Sequence, residues 1–172
     1  MMGSPWIRYS AILVILATCV GCDQVTKHIA RQQLDGRPPR SYFSDVVRLV
    51  YAENPGAFLG LGGGLPPGAR WALLVVVNAV VAGGIAAVLL WHSKMPWLRA
   101  AACALLLSGA VGNLIDRVRF DGLVIDFMNL GIGPLRTGIF NVADVAITTG
   151  AVLLILPQLA PGRSQPEPAE AG

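Results

Sequence analysis

Charge is what this chain has least of. Aspartate, glutamate, lysine and arginine make up 13% of its 172 residues and 54% are hydrophobic, whereas soluble domains carry about 25% charged residues. That deficit excludes an ordinary water-soluble fold. Histidine occurs twice and cysteine three times. His28 and His92 stand alone, and no His/Cys/Glu cluster has metal-ligand spacing, so no metal or other cofactor is expected. Cys19 and Cys22 fall one turn apart on an apolar run, where C-x-x-C reads as small-residue packing rather than redox chemistry. Cys103 lies in a second such run. The net charge of +3 comes from scattered basic residues without a stripe or interleaved aromatics, which argues against nucleic acid as a partner.

Long hydrophobic runs are what the chain has instead. They occur at 7–21, 71–91, 100–115 and 139–160, and about 20 residues of helix cross a bilayer. They predict an α-helical integral membrane protein of four spans, about 7–25, 70–91, 99–117 and 139–160. These form a single domain over 1–160, followed by a disordered Pro/Glu/Gly-rich tail at 161–172. The second run has no charge and a tryptophan at each end, at interface depth. The first and third reach full length only by taking in Asp23, or Asn113 and Asp116. A span that must include polar groups is either misassigned or carries function. The first run also suits a secretory signal peptide, with Arg8 near its start as an n-region and "LATC" at 16–19. Three later runs and the lack of a clean small-x-small site favour a retained helix.

Four spans place both termini on one side and the 23–70 and 117–138 loops on the other. Lys94 and Arg99 flank the short connection, with Arg8 and Arg163 near the ends, which puts that side in the cytoplasm. The longer loops hold more Lys and Arg in total, but long loops weigh little in that rule. In either orientation, Asp23, Asp35, Asp45, Asp116, Asp121, Asp126 and Asp144 all lie at or beyond one membrane face. The loops there read as structured. "YFSDVVRLVYAEN" is rich in β-branched and aromatic residues. "VRFDGLVIDFMNL" predicts a hairpin turning at Asp121-Gly122. Alternation then puts Val124, Asp126 and Met128 on one face of its second strand.

Singly, the polar motifs have plain explanations. Asp23 and Lys27 in "DQVTK" could be an interfacial ion pair with a snorkelling lysine. Asn54 and Gly56 in "ENPGAF" read first as a turn. In "SGAVGNLIDR" the small residues, Gly112 included, suit close helix packing, and Asp116-Arg117 could mark a helix end. Asn113 inside that run needs a partner. Asp144 in "FNVAD" could simply favour a helix N-terminus, by about 0.3–1 kcal/mol. Together with Asp126 in "VIDF" and Asn141, they gather polar groups on one face of a membrane protein, a pattern that favours paired-carboxylate chemistry. Two carboxylates about 3 Å apart in a low-dielectric pocket share one proton. The ionised member can activate a water and the protonated one can donate to a peptide carbonyl. Lys27 or Arg117 would set the field, and Asn54, Asn113 or Asn141 would orient the substrate. A transporter or channel subunit and a non-catalytic assembly factor are the competing classes. The acids argue against an ion path, because they cluster at one face rather than crossing the bilayer.

In order, D-Q-x-[ST]-K, N-x-G-A, G-A-x-G-N-x-x-D-R, V-x-D-F and F-N-x-A-D closely resemble the lipoprotein signal peptidases, or bacterial signal peptidase II. The resemblance covers Asp23 to Asp144 and implies an inner-membrane aspartyl endopeptidase acting without a metal. Such an enzyme cuts prolipoproteins just before a diacylglyceryl-modified cysteine, so its partners are lipid-modified precursors and membrane lipid. It implies Asp126 and Asp144 as the catalytic pair. Asp23, Lys27, Asn54, Gly56, Gly112, Asn113, Asp116, Arg117, Asn141 and Ala143 are implied as supporting or substrate-binding residues. Spacing alone would rank Asp116 as catalytic. The resemblance also puts the two long loops, and the active site, on the periplasmic side. Two departures stand out. Ala57-Phe58-Leu59 replaces two alanines and an aromatic, and Ser108 replaces a common glycine. A monomer is expected.

Overall fold

Residues 5–56 and 66–159 are described by the structure, a computed structural model. Ala57-Phe58-Leu59, the glycine-rich run after it and the 161–172 tail lie outside the described residues. The first helix, α1 (Pro5–Leu34), has 30 residues and spans about 45 Å. It continues well past the expected 7–25 limit. Asp23 and Lys27 therefore lie within the helix, where i, i+4 spacing turns both toward its neighbours.

Helices α2 (Pro67–Trp91), α3 (Trp97–Arg119) and α4 (Val142–Leu159) complete the helical part. α1, α2 and α4 all pack on α3, and α1 also meets α4. The composition of α3 explains its central place. Ala100, Ala102, Ala104, Ser108, Gly109, Ala110 and Gly112 are buried along it, and small residues let membrane helices approach closely. Ser108, the departure from the family's glycine, returns its hydroxyl to Leu105 O at 2.8 Å and so adds no unpaired polar group. Asn78 of α2 donates to Ala110 O at 3.2 Å, pairing the polar side chain in the middle of that apolar helix.

Among the described residues three helices, α1 to α3, are long and apolar enough to cross a membrane. The outward residues Leu13, Val76 and Val80 are exposed hydrophobics, as a lipid-facing surface requires. The fourth apolar stretch is shorter, Val142–Leu156. The span expected at 139–160 begins later because Phe140 pairs with Met128 in a β-bridge and Asn141 caps the helix.

Beside the bundle lies an antiparallel sheet in the order β1-β2-β3-β4, comprising β1 (Arg40–Tyr42), β2 (Val47–Asn54), β3 (Val124–Ile132) and β4 (Leu135–Arg136). Phe43, Ser44 and Asp45 at the β1–β2 turn all have positive φ, 53°, 52° and 71°. Asp45 holds that turn, accepting from Ser41 Oγ at 2.7 Å and from Arg48 Nε at 2.6 Å, while Arg136 reaches its carbonyl at 2.8 Å. These partners keep the Asp45 carboxyl well below the usual carboxylate range, the Arg48 hydrogen bond first among them.

The expected hairpin at Asp121-Gly122 is absent. Val118 and Arg119 belong to α3, and Asp121-Gly122 is the junction between that helix and β3. Both residues take positive φ, 51° and 89°, and Gly122 N donates to Arg117 O at 2.8 Å. This is how helices commonly end. β3 pairs instead with β2 and, at its end, with β4; on the β2 side Ala52 stands opposite Asp126, with a register shift between Leu49 and Ala52. Bulges of this kind re-aim side chains next to sites. The expected alternation of β3 is also masked, because Val124, Ile125, Asp126 and Phe127 are all buried.

A Cβ on Gly109 would stand 2.4 Å from Ala143 O and 2.6 Å from Ile147 Cγ1, so α3 and α4 meet there without room for a methyl group. Gly109→Ala should lower stability by about 1–3 kcal/mol, the usual cost of overpacking. Gly83→Ala, where a Cβ meets nothing within 4 Å, should be neutral or gain up to about 1 kcal/mol. Thermal unfolding of the detergent-solubilised chain measures both.

Candidate active site

Lys27 comes from α1 and is 2% exposed, not snorkelling. Its Nζ lies 2.9 Å from Asp23 Oδ2 and 2.9 Å from Asp116 Oδ2 of α3. It also donates to Asn113 Oδ1 at 2.9 Å. A lysine has three donors, and all three are used. Gln24 joins the same group, its Nε2 lying 3.0 Å from Asp116 Oδ1, 3.2 Å from Asp23 Oδ2 and 3.2 Å from Gly112 O. Gly112 is a close approach, since a Cβ there would sit 2.6 Å from Asp23 Oδ2.

Each carboxylate of this triad also holds a second element. Asp23 Oδ1 accepts from Ala143 N at 2.9 Å, at the start of α4. Asp116 Oδ2 accepts from Ile125 N at 3.1 Å, on β3. Those two elements carry Asp144 and Asp126. A buried ion cluster between α1 and α3 thus sets the position of both remaining acids.

Asn141 then joins them to each other. Its Nδ2 donates to Asp126 Oδ1 at 2.6 Å, its backbone N to Asp144 Oδ2 at 3.1 Å, and its Oδ1 accepts from Asp144 N at 3.0 Å. The last two bonds form a reciprocal capping box at the N-terminus of α4. Asp144 therefore does have the capping role that its position allows, and it shares its cap residue with Asp126. The remaining oxygens are also engaged. Asn54 Nδ2 donates to Asp126 Oδ2 at 2.9 Å, and Asn113 Nδ2 to Asp144 Oδ1 at 3.0 Å. Gly56 N donates to Asn54 Oδ1 at 3.0 Å, fixing the amide's orientation. Arg117 donates to Asn113 O at 3.2 Å and Gly56 O at 3.4 Å, and its buried Nε has no hydrogen-bond partner.

Asp126 is 2% exposed. Burial pushes its carboxyl up to about 6, and the negative charge of Asp144 adds to the rise, against the hydrogen bonds from Asn54 and Asn141. A carboxyl poised there can hold a proton near neutral pH. All twelve residues singled out in the sequence converge on this end of the molecule. The one missed is Gln24. Its position inside "DQVTK", beside a buried acid, was the available signal.

Fold and site together define a class: a small helical membrane protein with two carboxylates bridged by one asparagine at one end of its bundle. The model of the family described as "Signal peptidase (SPase) II" matches residues 15–160. A lipoprotein signal peptidase of Sphingopyxis alaskensis is 39% identical over 88% of this chain and 86% of its own length. One from Psychromonas ingrahamii is 38% identical over 89% and 83%. A solved structure titled as a bacterial membrane enzyme superposes with a TM-score of 0.77 at 26% identity, covering 88% of this chain and 94% of the other. The chain belongs to the signal peptidase II family and is a peptidase of that family.

Replacing Lys27 tests the ion cluster. Lys27→Met leaves Asp23 and Asp116 buried without their shared cation, so stability should fall by about 3–5 kcal/mol. An exposed pair would cost under about 1 kcal/mol. Denaturant or thermal unfolding in detergent separates the two outcomes.

Proposed function

We propose that this protein is a membrane aspartyl endopeptidase. It removes the signal peptide from prolipoproteins by cutting before the diacylglyceryl-modified cysteine. Its relatives' name, lipoprotein signal peptidase, supports the substrate class. The observation that carries the chemistry is the single residue, Asn141, hydrogen-bonded to both Asp126 and Asp144. We assign these two as the catalytic pair, with a water activated between them.

In this reading Asp126 is the acid and Asp144 the base. Asp144 takes a proton from water as the water oxygen bonds to the scissile carbonyl carbon. Asp126 gives its proton to the carbonyl oxygen. The tetrahedral intermediate then collapses, the C–N bond breaks, and the amine leaves carrying a proton returned through the pair. Asn54, Gly56 and Asn113 orient carboxylates and substrate, while Asp23, Lys27, Asp116, Arg117, Gly112 and Ala143 hold the frame. All these groups come from one chain, which supports a monomer as the active unit. Four spans in the bacterial inner membrane, with cytoplasmic termini and the aspartates at the periplasmic face, complete the proposal. The charge of the short connection supports that orientation.

Asp126→Asn and Asp144→Asn should each lower cleavage of a lipidated precursor by at least roughly 10²–10⁴-fold, the contribution of a positioned acid or base. Both proteins should stay folded and inserted. Asp121→Asn, at the helix–strand junction, should cost little. Full activity in either of the first two variants overturns the assignment.

The pH profile carries a further expectation. Asp126 is protonated below about 6, so activity should fall as pH rises through that value. The Asn54 hydrogen bond lowers the Asp126 pKa. Asn54→Leu should therefore move the alkaline limb to higher pH, whatever it does to the maximal rate. A limb that stays put or moves down contradicts Asp126 as the acid.

A further inference from the structure

The other end of the bundle holds a feature that cleavage chemistry does not use. Between α2 and α3 the chain turns through residues 92–96, and a cavity of about 550 Å³ opens on that turn. Trp91, Met95 and Pro96 give it an apolar wall, and His92, Lys94 and Arg99 surround it with basic side chains. No acid lines it, and the first turn of α3 has none. The turn is braced from beneath by Arg8 of α1. Its Nη1 donates to Ser93 O and Met95 O, both at 2.6 Å, and its Nη2 to His92 O at 3.2 Å. With those carbonyls occupied by a guanidinium, their negative ends do not compete for Lys94 or Arg99.

Trp91 and Trp97 mark this as interface depth. They end α2 and begin α3, and both are exposed; tryptophan prefers the headgroup layer. An apolar wall with cations at its rim, set at that depth, suits one ligand chemistry. We propose that this cavity binds the phosphate-bearing headgroup of an anionic glycerophospholipid, with Lys94 and Arg99 on the phosphate and the glycerol end against Trp91 and Met95. A free phosphate would share the cations but make no use of the apolar wall. The proposal rests on α2 and α3 crossing the membrane, not on the aspartate chemistry. The site lies roughly 16 residues, about 24 Å along α3, from Asn113.

Native mass spectrometry of the full chain, released from nanodiscs of equimolar phosphatidylglycerol and phosphatidylcholine, tests it. Wild type should retain phosphatidylglycerol preferentially. Lys94→Gln/Arg99→Gln should lose that preference by roughly thirtyfold, the weight of two basic residues at a membrane surface. Lys94→Gln alone should lose about fivefold, which keeps the test available if the double variant unfolds. Precursor cleavage should be unchanged in both, so a loss of lipid preference is distinguishable from failure of the peptidase reading. No preference in wild type, or an undiminished one in the variants, overturns the proposal. So does displacement of the lipid by inorganic phosphate at equal concentration, which would assign the cavity to a free anion. Failure of phosphate to displace it supports the lipid.

Discussion

The ammonium of Lys27 is the group on which the site's geometry depends. It satisfies Asp23, Asp116 and Asn113 at once, inside the bundle and out of reach of water. Burying such a cluster is costly, since desolvation can exceed the attraction between the ions. Greater stability is therefore a poor explanation for it. What the cluster supplies is position. Asp23 holds the first turn of α4 through Ala143 N, and Asp116 holds β3 through Ile125 N. These two elements lie far apart in sequence from α1, and no hydrophobic contact would place a backbone N–H to within hydrogen-bonding tolerance. Directional bonds to a fixed pair of carboxylates do so.

Asn141 repeats the same economy one layer closer to the proposed chemistry. As the cap of α4 it is a local folding signal, and its bonds with Asp144 would form on any helix with that sequence. The amide nitrogen is left over, and it reaches Asp126. The relative placement of the carboxylates is therefore tied to the start of a helix, one of the better-defined points in a chain. Phe140 reinforces this from the other side. It exchanges backbone bonds with Met128, its N donating to Met128 O and its O accepting from Met128 N, both at 2.8 Å. The residue before the cap is thereby stitched to the strand that bears Asp126.

Much of this was legible in the sequence, for physical reasons. A chain so poor in charge can bury a polar group only by pairing it, so each acid and amide inside or beside an apolar run was informative. That logic found Asp23, Lys27, Asn54, Asn113, Asp116, Arg117, Asp126, Asn141 and Asp144 from composition and placement, and the ordered motifs supplied Ala143 and the division of roles. Element boundaries were less legible. α1 runs past its apolar stretch to Leu34, with Asp23, Gln24 and Lys27 turned toward α3 while His28, Arg31, Gln32 and Gln33 face solvent, which hydropathy alone does not register. Asp121-Gly122 has the composition of a hairpin turn, yet a helix C-terminus asks for the same positive φ, and tertiary pairing of β3 with β2 decided between them. Gln24 stood in the D-Q-x-[ST]-K motif but was not taken as a site residue, because one polar residue beside a motif acid carries no periodicity. Its role appears only when Asp23 and Asp116 are seen to approach from two helices.

The charge inventory at this end bears directly on the proposed proton. Among the described residues, the hydrogen-bonded group that holds Asp23, Asp116, Asp126 and Asp144 contains two cations, Lys27, which pairs with Asp23 and Asp116, and Arg117, which bonds to backbone carbonyls. With every member ionised the group would hold more negative than positive charge in surroundings that solvate it poorly. A proton on one carboxyl reduces that imbalance without moving an atom. Lys27 is already committed to Asp23 and Asp116, so the excess falls on the other two acids. Of these, Asp126 is the more deeply buried and receives only side-chain amides, and burial raises its pKa, whereas Asp144 sits in the first turn of α4 and also accepts the backbone N–H of Asn141. Burial and hydrogen bonding thus distinguish two chemically identical side chains. That asymmetry is what an acid and a base acting together require.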